Sequence, residues 1–225
     1  MTKNLALSDF YLAGGSKNFS LKRGVYCILS AMRIISGTKK GMNLFSPDTM
    51  ESRPYTDRVK ESVFDVLFKY GLIENRRVAD VFCGVGSMGL EALSRGARAA
   101  TFVEKDSRII ETLRKNIEKC GFVTAASVVR ANAFKVGAPL GFDEEKFSLI
   151  FIDPPYPLTQ DVAAGSRFSE IMKVLPDQIA DDGLILVRTH RNIELTENYQ
   201  KLEIIDRRVW GNMAVAILRL KKNDQ

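Results

Sequence analysis

Histidine occurs once in the 225 residues, at His190, and cysteine three times, at Cys27, Cys83 and Cys120, never in a CxxC spacing. That scarcity argues against a zinc site, whose ligands come as clustered Cys and His, and no metal is expected. It argues equally against a disulfide framework, so a reducing compartment, the cytoplasm, is the default. Long apolar runs are missing too. None approaches the roughly 18–20 residues that cross a bilayer, so no membrane partner is expected, and residues 24–31 make only a forced secretory signal. Acids are in deficit, 27 Asp+Glu against 33 Lys+Arg, with a pI near 9.2. The surplus favours a polyanionic partner but is too small to establish one. Hydrophobic residues at 45% and charged residues at 27% are those of an ordinary globular domain with a full core.

Residues 1–31 set Lys3, Lys17, Lys22 and Arg23 against one acid, Asp9, and show no sustained helical or strand period. Three readings are open: a basic arm without fixed structure, a targeting segment, or sequence translated ahead of a start at Met32. Each makes them a poorly ordered extension that adds little to the fold. Residues 32–71 form a small module. Met32-Arg33-Ile34-Ile35-Ser36 and Met42-Asn43-Leu44-Phe45 flank the glycine-bounded Gly37-Thr38-Lys39-Lys40-Gly41, which predicts a β-hairpin. Thr56 then offers an N-cap and Asp57 an acid for the positive end of a helix. Its apolar stripe is Val59, Val63, Phe64, Val66, Leu67 and Tyr70, and Gly71 stops it. Residues 32–60 hold six Lys/Arg and three Asp/Glu. Arg33, Lys39, Lys40, Arg53 and Arg58 are the candidate RNA contacts of this basic module; a solvated turn explains Lys39 and Lys40 equally well.

Residues 72–225 read as the main domain. Apolar runs at 77–82, 100–103, 127–129, 149–152 and 184–187 alternate with helices at 90–93, 106–120 and 168–175. Runs at 202–209 and 213–220, around Trp210-Gly211-Asn212, close the chain as a hairpin. The pattern predicts an α/β, Rossmann-like, doubly wound sheet of seven strands, mostly parallel, with an antiparallel C-terminal edge hairpin.

Gly84-x-Gly86-x-x-Gly89 joins the first strand to its helix, and Glu104 ends the second strand. Alone, this pattern says that backbone meets a ligand closely and that a ribose diol has a carboxylate to bond. A tight strand-to-helix turn would use the same glycines. Asp80 narrows the ligand, because a carboxylate four residues before Gly84 opposes a pyrophosphate and suits a cation. S-adenosylmethionine carries an ammonium and a sulfonium, and its carboxylate can meet amides at a helix N-terminus. Its candidate contacts are Asp80, Phe82, Gly84, Gly86, Glu104, Asn132 and Ala133, with Glu104 at the ribose and Phe82, Asn132 and Ala133 at the adenine. The competing reading of Asp80 is a turn residue bonding to the glycine-loop amides.

Asp153-Pro154-Pro155-Tyr156 follows the fourth apolar run. Two prolines stiffen the loop and leave it without two donors. It sits where open α/β folds place ligands, and it offers a carboxylate, outward carbonyls and a flat ring. That set suits an exocyclic nucleobase amine: Asp153 and the Pro154 carbonyl accept its N–H groups, and Tyr156 stacks on the base. His190 reads as a surface residue and Cys83 as a packing residue.

Together with Met32–Gly37, Arg53-Pro54-x-Thr56-Asp57-Arg58-Val59-Lys60-Glu61 and Asp80-x-Phe82-x-Gly84-x-Gly86-x-x-Gly89-Leu90-Glu91-Ala92-Leu93-Ser94-Arg95-Gly96-Ala97, this loop resembles the RsmD family of 16S rRNA guanine-N2 methyltransferases. The resemblance runs from about Met32 to the C-terminus. It implies S-adenosylmethionine as donor, a guanine amine of 16S rRNA as acceptor, and a small ribosomal subunit or its assembly intermediate as substrate; separately, a monomer is expected. Tyr55 stands where that family usually has Thr, and Asn132 where it usually has an acid. Adenine N6 in DNA or another RNA is the alternative acceptor, a catalytically silent RNA-binding assembly factor the alternative class, and a nicotinamide oxidoreductase a distant last.

Overall fold

A computed structural model describes residues 32–46, 55–142, 144–196, 199 and 201–222. The expected extension at 1–31 and the candidate contact Arg53 lie outside the described residues. Met32–Gln225 forms one compact unit. In chain order its elements are α1 (Asp57–Phe68), β1 (Arg77–Val81), α2 (Ser87–Ser94), β2 (Ala99–Glu104), α3 (Ser107–Cys120) and β3 (Ala126–Arg130), then α4 (Ala133–Val136), β4 (Phe147–Ile152), α5 (Arg167–Val174), β5 (Ile179–His190), β6 (Leu202–Trp210) and β7 (Met213–Leu220).

Seven strands make one sheet in the order β3-β2-β1-β4-β5-β7-β6. β1 to β5 pair parallel, and β7 runs antiparallel to both β5 and β6. The closing hairpin is therefore inserted edge-first: the last strand lies inside the sheet and β6 forms the rim. Burial explains the exchange, since Ala214 to Leu218 in β7 are all buried, whereas Arg207, Arg208 and Val209 in β6 are exposed. Strand order reverses beside β1, with β2 on one side and β4 on the other, so a crevice opens at their carboxyl ends.

Strand side chains alternate between two cores. Val78, Phe102, Leu149, Phe151, Leu184 and Leu186 pack with α1, α2 and α3, while Ala79, Val81, Ile150, Ile152, Ile185 and Val187 pack with α4 and α5. Both faces are covered, which is why the parallel strands read as unbroken apolar runs. Caps set the helix ends. Thr56 Oγ1 accepts from the Val59 amide at 3.4 Å, Asp106 Oδ1 accepts from the Arg108 amide at 2.9 Å, and Gly121, with φ of 71°, stops α3.

The segment 32–46 is less regular than the expected hairpin. It has one isolated bridge, Arg33 to Asn43, around a 3-10 turn at Gly37–Lys39. Its two arms are joined by backbone bonds, Ile34 amide to Met42 carbonyl at 3.0 Å, Leu44 amide to Met32 carbonyl at 2.7 Å and Gly41 amide to Ile34 carbonyl at 2.8 Å, while other amides go to helix side chains. The Ile35 and Ser36 amides donate to the Glu91 carboxylate at 2.7 and 3.0 Å, and the Phe45 amide donates to Asn116 Oδ1 at 2.7 Å. Lys60, fully buried, donates to the Arg33 carbonyl at 2.9 Å and stands 3.9 Å from Glu91. Met32, Ile34 and Leu44 join the core on the α1–α3 face, so this segment is packed into the main body. No helix among the described residues is long and apolar enough to cross a membrane.

Candidate active site

Two loops meet at the carboxyl ends of β1 and β4. The Asp153 amide donates to the Val81 carbonyl at 3.2 Å, tying the acid-and-proline loop to the strand that feeds the glycine turn. That turn is built from unusual backbone: Phe82, Gly84 and Gly86 have φ of 60°, 55° and 88°. The three glycines serve different needs. A Cβ on Gly89 would stand 2.4 Å from Phe102 Cε1, and one on Gly86 would stand 2.5 Å from Leu113 Cδ1, so both are demanded by packing. A Cβ on Gly84 would meet nothing within 4 Å. Gly84 thus borders open space, where a bound ligand could approach backbone.

Asp80 is 1% exposed, and its Oδ2 accepts from the Gly89 amide at 2.8 Å. One oxygen of this carboxylate is thus engaged by the backbone in the first turn of α2. Burial pushes it up to about 8, against the Gly89 hydrogen bond, with the Asp153 charge adding to the rise. Glu104 is half-buried at the end of β2 and accepts from the Gly84 amide at 3.2 Å and the Lys105 amide at 2.8 Å. Phe82 and Phe134 meet edge to face with centroids 4.9 Å apart. Asn132 is exposed, and its oxygen caps α4 through the Phe134 amide at 3.1 Å. Ala133 is buried. Gly84 thus meets Glu104, Phe82 meets Phe134 and Asn132 caps the helix that begins at Ala133, which gathers these candidates at the carboxyl ends of β1, β2 and β3.

In the second loop, Asp153 keeps 21% of its side chain exposed and Pro154 is buried. Asp153 Oδ1 lies 2.7 Å from Arg188 Nε, an ionic contact whose N–H is not aligned as a hydrogen bond. Burial raises the Asp153 carboxyl to about 6, and Arg188 works against that rise. The Arg188 guanidinium sits over the rings of Tyr55 at 4.9 Å and Tyr156 at 5.3 Å, and His190 meets Tyr156 edge-on at 6.0 Å. Burial, then the Asp153 charge, pushes the Tyr55 hydroxyl well up. Arg188 and Tyr55 escaped the sequence reading as site residues. The one available signal was an arginine directly after the apolar run Leu184–Val187, in register one step past the pair Ile152–Val187.

Among the candidate RNA contacts, Lys40 and Arg58 are exposed. Arg33 Nε pairs with Asp57 Oδ2 at 2.7 Å, and the Lys39 ammonium lies 5.8 Å from the Phe122 ring centre, half-buried instead of free at a tip. Cys83 is buried, and burial first, then the Asp80 charge, pushes its thiol well above the ordinary range, so it packs as an inert thiol.

Sheet order 3-2-1-4-5-7-6, a glycine turn after β1 and an acid-and-ring loop after β4 define the class: a Rossmann-like, S-adenosylmethionine-dependent methyltransferase. Residues 32–219 match the family described as Conserved hypothetical protein 95, and the chain belongs to it, the RsmD family. It is 34% identical to "Putative rRNA methyltransferase YlbH" of Bacillus subtilis, over 84% of this chain and 98% of that protein. It is 36% identical to Ribosomal RNA small subunit methyltransferase D of Escherichia coli K12, over 70% of this chain and 74% of that one. Among solved structures, "Putative methyltransferase yhhF from Escherichia coli" superposes with a TM-score of 0.70 at 30% identity, covering 86% of this chain and all of that one.

Proposed function

We propose that this protein transfers a methyl group from S-adenosylmethionine to the N2 amine of a guanine in 16S rRNA, in the small ribosomal subunit or an assembly intermediate. The observation that carries the reading is the tie between the two loops, Asp153 amide to Val81 carbonyl, which sets the acid-and-ring corner beside the glycine turn. When bound, the cofactor supplies an electrophilic methyl on a sulfonium. The residues present fit it. Glu104 would take the ribose diol, the open side of Gly84 admits close approach, and Phe82 with Asn132 and Ala133 would frame the adenine. Asp80 supports the loop from below.

A guanine amine is a poor nucleophile because its lone pair is delocalised into the ring. Asp153 and the Pro154 carbonyl accept its N–H groups, fix the nitrogen and favour a pyramidal form. Asp153 also stabilises the positive charge that the nitrogen gains, and stands ready to accept the released proton. Tyr156 stacks on the base, a contact worth about 1–3 kcal/mol in nucleic-acid complexes. Alignment of the two substrates supplies much of the rate. A base in a duplex is out of reach, so the target is unpaired or flipped. Lys40, Arg58 and the rest of the basic 32–71 module would meet phosphates.

Nucleoside mass spectrometry of 16S rRNA from a strain lacking this protein tests the reading. N2-methylguanosine should fall and return with the wild-type gene; unchanged N2-methylguanosine would rule the reading out.

A further inference from the structure

We propose that a half-exposed aromatic and basic strip, running from Tyr156 through His190 and Met213 to Trp210 and Arg208, holds the single-stranded RNA that flanks the reacting base. This rests on the rRNA methyltransferase reading, and it assigns the rim of the sheet, which that reading leaves unused, to the acceptor strand.

The strip follows from register. Residues paired across neighbouring strands point to the same face, and His190 pairs with Met213, which in turn pairs with Trp210. One pair deeper, Arg188 pairs with Val215 and Val215 with Arg208. The deeper row thus begins at the buried arginine behind Asp153 and ends on Arg208, whose side chain is 44% exposed. The upper row begins at His190, edge-on to Tyr156 at 6.0 Å, and ends on a half-buried tryptophan. From β5 to β6 is two strand spacings, roughly 10 Å, about the length of three stacked nucleotides at ~3.4 Å each.

The strip is held in place at its outer end. Gly211, with φ of 56°, makes the two-residue turn after Trp210, and Arg191 braces that turn by donating its amide to the Asn212 carbonyl at 2.9 Å and Nη1 to the Gly211 carbonyl at 3.3 Å. Beneath, Trp210 and Arg208 close a cavity of about 10 Å³ against Val63 and Val66 of α1, so the indole is seated on that helix while part of it stays exposed. A stacking platform beside a cation is the arrangement that grips single strands irrespective of sequence. Arg208 pairs with Asp206 at 2.8 Å, an exposed pair that a phosphate can displace. A base drawn out of a helix leaves its neighbours unpaired, and those are the nucleotides the strip would meet.

Trp210 is the sole tryptophan, so the fluorescence of the unmodified protein reports this strip. A short mixed-sequence single-stranded RNA should quench it saturably, less as salt rises, and the matching RNA duplex should quench it weakly. With unmethylated small subunits, Trp210→Leu should raise KM about tenfold while kcat stays within about twofold. Trp210→Phe should recover most of the loss, and Arg208→Gln should flatten the salt dependence. Thermal unfolding of each variant separates lost binding from lost fold. Single-stranded RNA that binds, by polarisation of a labelled strand, without altering the fluorescence would overturn the assignment, as would an unchanged KM for a folded Trp210→Leu. Failure of the wild-type protein to methylate small subunits would instead remove the parent reading, and the titration would still decide the strip.

Discussion

Arg188 on β5 lies 2.7 Å from Asp153 at the end of β4, with its guanidinium between the rings of Tyr55 and Tyr156. The proposed catalytic carboxylate is thus held by a charge from the neighbouring strand, and that charge is itself clamped by the two aromatic rings. The pair explains how an acid raised to about 6 by burial still ionises at neutral pH. If transfer needs the carboxylate form, the rate falls as pH falls through about 6. Removing Arg188 removes the influence that lowers the Asp153 value, so in Arg188→Met the acid limb of the pH–rate profile should move to higher pH. Arg188→Lys should move it less. An unmoved limb would show that Arg188 serves packing alone.

Asp80 gives a stability signature with a definite sign. Its carboxyl sits at about 8 in the fold against a usual 3.8, so between those values the folded protein holds a proton that the unfolded chain has released. Stability should therefore decline as pH rises from about 4 to 8, with Asp153 adding to the decline between about 4 and 6. Asp80→Asn keeps an oxygen for the Gly89 amide and loses the titration. Urea midpoints across that range should fall less steeply in the variant; parallel curves would contradict the assignment.

The glycines separate by experiment. Gly89→Ala drives a methyl into Phe102 and should cost about 1–3 kcal/mol by overpacking. Gly84→Ala meets no neighbour but must hold φ of 55°, at about 1–2 kcal/mol. Calorimetric titration with S-adenosylmethionine distinguishes them further: the Gly84 variant should bind more weakly, because its new methyl projects into the ligand space.

Glu91 is the latch for the segment 32–46. It accepts the Ile35 and Ser36 amides and Arg95 Nε at 2.8 Å, and it is the counter-charge of buried Lys60. Glu91→Leu leaves that lysine uncompensated and should cost about 3–5 kcal/mol. Pairing it with Lys60→Met should recover part of the loss. Chemical denaturation of the single and double variants measures the coupling, and additive losses would argue against a latch.

Much of this was legible in the sequence. Strands buried on both faces read as apolar runs, and the glycine turn and the acid-and-proline loop stood at strand ends where pattern alone puts ligands. What stayed hidden was carried by single polar residues at long sequence separation. Glu91 sits in the apolar context Leu90-Glu91-Ala92-Leu93 and serves residues 35 and 36, which no local pattern announces. Arg188 extends β5 beyond its apolar stretch, and only the pairing with β7 keeps Arg188-Thr189-His190 in the strand. The closing hairpin was visible as two runs and a turn. Its order in the sheet was not, because which strand lies inside depends on tertiary burial.

The corner formed by Asp153 and Tyr156 is proposed to deliver a methyl to a guanine amine. Purified protein, methyl-labelled S-adenosylmethionine and unmethylated small subunits test it, followed by digestion and identification of the labelled nucleoside. Label should appear as N2-methylguanosine in 16S rRNA and drop at least about a hundredfold with Asp153→Asn, while cofactor binding persists. Label in N6-methyladenosine, or an Asp153→Asn protein as active as the wild type, would contradict that role for the corner.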